Sequence, residues 1–127
     1  EFYAGCCDDE QTKACIKEIY DKYSYTCDTH TAVAVKVYED YKAATGDETK
    51  TIIASTASPY KFSGSVLDAI GVDTNTDEFG LVDKLAETSK IPVPASLAAL
   101  KDKDIRFKKI IDKTEMKDYV FESLNIK

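Results

Sequence analysis

Two short stretches are all that this sequence offers toward a β-sheet. Thr51-Ile52-Ile53-Ala54 is a β-branched run flanked by breakers, and Ile105-Arg106-Phe107-Lys108 alternates apolar and charged residues. A sheet of two short strands buries little and leaves edges that other strands normally cover. The expected fold class is therefore α/β of an incomplete kind, a helix-rich fragment with few short strands. The opening Glu1-Phe2-Tyr3, without an initiator methionine and with two aromatics lacking upstream neighbours, adds to the expectation of a piece cut from a longer protein.

The rest of the chain reads as helix and turn. Asp8 and Gln11 form a D-x-x-Q capping box ahead of Ile16, Ile19, Tyr20 and Tyr23, which fall on one helical stripe. Asp28 or Thr29 can cap a second helix, in which Val33, Val37 and Tyr41 recur every four residues until Gly46. After the first strand, Ser58-Pro59 sets a capping hydroxyl before a proline at the first helical position, and Phe62, Val66, Leu67 and Ile70 are expected to face inward. Asp77 and Glu78 suit the first turn of a helix carrying Phe79, Val82, Leu85 and Ala86. Ile91-Pro92-Val93-Pro94 is held extended by its prolines, and Ser96 to Leu100 has room for one or two helical turns. Asp112 and Glu115 form a second capping box before the stripe Met116, Tyr119, Val120 and Leu124.

Length and charge narrow the function classes. At 127 residues with 43% hydrophobic content, residues 1–127 are expected to make a single compact unit. The net charge of -6 has the wrong sign for phosphate backbones and anionic membranes, so neither nucleic acid nor membrane is expected as a partner. No apolar run approaches the ~18 residues of a spanning helix, and no basic segment precedes an apolar one, which points to a cytoplasmic location. In that compartment Cys6, Cys7, Cys15 and Cys27 read as free thiols; adjacent Cys6 and Cys7 do not make a ligand pair and His30 is the sole histidine, so no metal site is expected.

The chemistry concentrates after the first strand. Open α/β sheets bind ligands beyond the carboxyl ends of their strands, where Ser55, Thr56 and Ser58 cluster. A hydroxyl there can donate to an unprotonated ring nitrogen without bringing charge. Lys61, one turn on, is within reach of a ligand anion. The plainer reading of Ser55 and Ser58 is that they satisfy turn and cap backbone groups.

The stretch Ser55-Thr56-Ala57-Ser58-Pro59-Tyr60-Lys61-Phe62 resembles a segment near the C-terminus of threonine synthases, pyridoxal-phosphate enzymes of the tryptophan synthase β-like fold (fold type II). Cys27-Asp28-Thr29-His30-Thr31-Ala32-Val33-Ala34 is similar to the D-x-H-T-A-V-A segment that precedes that strand in the same enzymes, while Phe2-Tyr3-Ala4-Gly5 and Asp104-Ile105-Arg106 with Glu115-Met116-Lys117 lend support at the two ends. The resemblance implies that the full enzyme converts O-phospho-L-homoserine and water to L-threonine and phosphate, in amino-acid biosynthesis. It also implies that a Ser or Thr hydroxyl at this strand end meets the cofactor's pyridine nitrogen. Thr56 and Ser55 are thereby the cofactor-binding candidates, with Thr56 the more favoured.

The Schiff-base lysine and the cofactor-phosphate loop of that family precede this segment, and no stretch here resembles either. The expectation is a C-terminal portion without catalytic residues of its own, inactive alone, whose partner is the remainder of the threonine synthase chain. His30, Lys61 and Asp28 are carried as pocket candidates, against the plainer reading of His30 as structural and Asp28 as a helix cap. Tyr60 sits in the turn and either borders the pocket or changes local packing. The alternative to the enzyme reading is a stand-alone small-anion-binding or structural module.

Overall fold

In the computed structural model, which describes residues 2–126, the order of elements is helical throughout: α1 Asp9–Tyr23, α2 Thr29–Thr45, α3 Ser63–Ala69, α4 Glu78–Ser89, α5 Ala95–Ala98 and α6 Met116–Ser123, with 3-10 turns at Pro59–Phe62 and Lys113–Glu115. The helix starts follow local chemistry. The Asp8 carboxylate accepts from the Gln11 backbone N–H at 2.8 Å while the Gln11 side chain accepts from the Asp8 N–H at 3.0 Å, closing the first capping box. Asp28, not Thr29, caps α2, and Asp77 caps α4 from outside its first turn. The Asp112–Glu115 box also forms, but it opens a 3-10 turn that leads into α6.

The expected α/β class is overturned: among the described residues there is no strand. Residues 51–54 and 105–108 run without regular structure. The physical reason lies in what strand propensity measures, a fit to a pleated surface with neighbours on either side. Neither segment finds a neighbour to ladder with, so apolar side chains of both are left in solvent, with Ile53 half-buried. Ile52 is 96% exposed and Phe107 80%.

A small core sits where α3 packs against both α1 and α4, and α1 against α2. Ile16 from α1, Ala32 from α2, Val66 and Leu67 from α3 and Leu85 from α4 are fully buried, with Cys15, Cys27 and Tyr60 beside them. Phe62, expected inside, is 39% exposed and lies on the rim. The stripe of Val33, Val37 and Tyr41 on α2 points away from that core. It lies beneath a shallow groove walled by Tyr3 to Gly5 on one side and Thr51 to Ala54 on the other. Gly5 is needed there for contact: a Cβ at this position would come within 2.9 Å of Val37. Tyr3 meets Tyr41 edge to face at 5.0 Å, and the Tyr41 hydroxyl donates to Asp47 at 2.7 Å, so both walls are tied to the end of α2.

The last helix departs from its sequence pattern. Met116, Val120 and Leu124, read as part of a helical stripe, are 58%, 46% and 64% exposed, and no described residue beyond Lys101 joins the buried cluster. An amphipathic period states which face of a helix is apolar, and whether anything covers that face is a separate matter.

Candidate functional site

The junction of the α1–α2 turn with residues 55 and 56 is built on Asp28. This carboxylate is fully buried and caps α2 through Oδ1, which accepts from the His30 N–H at 2.8 Å and the Thr31 N–H at 3.3 Å. Its second oxygen accepts from the Thr31 hydroxyl. Burial pushes the Asp28 carboxyl up, but the Thr31 hydroxyl, the Thr31 and His30 N–H groups and the His30 ring together pull it below its ordinary 3.8. Asp28 is therefore a carboxylate at neutral pH, a pure acceptor.

Thr31 extends the network to the second motif: its Oγ1 lies 2.9 Å from Ser55 Oγ. Among the described residues this is the one hydrogen bond that ties residues 52–57 to the helices. Thr56 follows at once. It is exposed, and its hydroxyl makes no hydrogen bond within the described residues.

On the other side of Asp28, the His30 ring places Nδ1 3.3 Å from Asp28 Oδ1 and lies 5.5 Å from the Phe62 ring, tilted by 32°. Nδ1 also lies 3.4 Å from the Thr29 hydroxyl. Lys61 Nζ stands 5.5 Å from the centre of the Phe62 ring. His30 and Phe62 share a cleft of about 420 Å³ with Cys7, Thr12, Lys13 and Ser65.

The structure thus brings Asp28, His30 and Ser55 into one network, sets Lys61 beside His30 through Phe62, and leaves Thr56 as an open hydroxyl at its edge. Tyr60 belongs elsewhere: it is buried, and its hydroxyl donates to the Ile91 carbonyl at 2.5 Å, bracing the turn against the proline-rich stretch. Two participants escaped the sequence reading. Thr31 stood out only as one member of the Cys27–Ala34 motif, and Phe62 was expected in the core; neither role is encoded in a spacing.

The arrangement presents a neutral polar edge with one free alcohol. Thr56, uncharged and able to donate, fits an unprotonated aromatic nitrogen. Among the described residues no His, Cys, Asp and Glu cluster is suited to a metal, and no helix is long and apolar enough to cross a membrane. The cysteines are free; burial pushes the Cys15 and Cys27 thiols up to about 11, which leaves them protonated and inert.

The family described as "Threonine synthase, C-terminal" matches residues 31–120, a span that holds Thr31, Ser55, Thr56 and Lys61 and begins just after His30. No curated protein matches the chain.

Proposed function

Because this chain belongs to the threonine synthase C-terminal family, we propose that it forms one wall of a pyridoxal-phosphate site that converts O-phospho-L-homoserine and water to L-threonine and phosphate. The observation that carries the reading is the contact between Thr31 and Ser55, which joins the two motifs of the resemblance and leaves Thr56 open beside them. When bound, the coenzyme supplies the electron sink for proton removal at the substrate's α and β carbons.

The chain's own residues do the rest on this wall. Thr56 donates a hydrogen bond to the ring nitrogen and, being neutral, does not hold a proton on it as a carboxylate would. The Asp28 network holds the segment that carries Thr56. His30 and Lys61 border the space beyond, with Lys61 available to a substrate anion. The wall brings no Schiff-base lysine, so the chain alone is inactive. The groove over Val33 and Val37, with Ile52 on its rim, is the face that meets the lysine-bearing portion of the enzyme.

The test is to supply pyridoxal 5′-phosphate and O-phospho-L-homoserine to the chain alone and to the chain joined to a lysine-bearing threonine synthase cofactor domain. Phosphate release only from the joined protein is expected. Phosphate binding by the isolated chain, with the joined protein silent, overturns the reading.

Two substitutions sharpen it. Thr56→Val in the joined enzyme removes one neutral hydrogen bond of about 1 kcal/mol, so turnover is expected to fall by roughly fivefold with a shift in the cofactor's absorption. Ile52→Asp is expected to leave the chain's own urea midpoint within about 0.5 kcal/mol of the parent, since the side chain is 96% exposed. The same change weakens association with the cofactor domain by at least about tenfold, read by sedimentation, because it places a charge where apolar surface is covered.

A further inference from the structure

Asp28 and Ser55 are held through one hydroxyl. A carboxylate holds no proton, so in its contact with Asp28 the Thr31 hydroxyl must be the donor. The same Thr31 Oγ1 lies 2.9 Å from Ser55 Oγ, in the geometry of a donor to it, so both neighbours draw on the Thr31 hydroxyl.

From this we propose that Thr31 is a positioning residue: through its contact with Ser55 it orders the segment 54–57 and so places the Thr56 hydroxyl at the ligand edge. The inference rests on the reading of this edge as the ring-nitrogen wall. Thr31 is buried, at 6% exposure, so water does not compete for its hydroxyl. It sits in the first turn of α2, where the cap and the helix backbone hold it. Ser55 by contrast is exposed and belongs to no regular element, so its position is borrowed from Thr31.

The experiment uses ¹⁵N relaxation on the full chain with Thr31→Val, which keeps the shape of the side chain and removes the hydroxyl, and Thr31→Ser, which keeps the hydroxyl. In the parent, order parameters at 55 and 56 are expected near the rigid value of about 0.85. Thr31→Val is expected to drop them below about 0.6 with α1 to α4 unchanged, and Thr31→Ser to restore them. Ser55→Ala should reproduce Thr31→Val, and Thr56→Val should leave the values at the parent's. Equal order in the parent and Thr31→Val overturns the proposal, as does loss of order in Thr31→Ser.

A second arm uses the joined enzyme loaded with pyridoxal 5′-phosphate. Thr31→Val is expected to shift the cofactor's absorption in the direction of Thr56→Val, with Thr31→Ser at the parent position and Ser55→Ala shifted like Thr31→Val. If the joined enzyme takes up no pyridoxal 5′-phosphate, the proposed function fails, while the relaxation data still decide the role of Thr31.

Discussion

Leu67→Ala is expected to cost the chain about 3–5 kcal/mol, read as a lower urea midpoint with little change in slope. Leu67 is fully buried at the centre of α3, a helix of seven residues that packs against α1 on one side and α4 on the other. A helix so short does not persist by its own backbone bonds and depends on its packed face. Removing that side chain loses transfer free energy and leaves a cavity between three helices at once. For a domain whose whole margin is about 5–15 kcal/mol, this is enough to populate the unfolded state. Val66→Ala, which deletes fewer atoms at the neighbouring buried position, should cost visibly less. Equal effects would show that α3 is not the keystone of the core.

The second large effect belongs to Asp28. Asp28→Ala is expected to destabilise by about 2–4 kcal/mol, roughly 1 from the lost cap and the remainder from the loss of the charged acceptor of the buried Thr31 hydroxyl. Asp28→Asn should cost about 1 kcal/mol or less, because an amide also caps well and its other end can donate to Thr31. The two variants also separate in acid. The folded-state pKa of Asp28 lies below the ordinary value of 3.8, so its contribution is complete above that value and is lost as the pH falls through the folded one. The difference in stability between the parent and Asp28→Asn should therefore be constant above about pH 5 and shrink below pH 4, followed by urea titration at each pH. A gap that widens in acid would show that Asp28 is not held as a carboxylate.

What could be read in advance divides along local and distant physics. The capping boxes at Asp8 and Asp112 and the cap at Asp28 depend on atoms within three residues of one another, and all of them form. The run Thr51 to Ala54 has the composition of a strand, but a ladder needs a second strand, which no local pattern can supply. Val33, Val37 and Tyr41 form a true stripe, but its period does not say what it faces: α2 buries Thr31 and Ala32 and uses the stripe for the groove. Of the candidate site, Asp28, His30, Ser55, Thr56 and Lys61 were legible as residue types suited to their chemistry. Their convergence was not, since it passes through a hydroxyl pair separated by 24 positions in the chain.

The segment beyond Lys101 adds nothing to the buried cluster, though it holds Ile105, Phe107, Ile110, Met116 and Phe121. Polar substitutions at these exposed positions are therefore expected to leave the stability of the helical core unchanged.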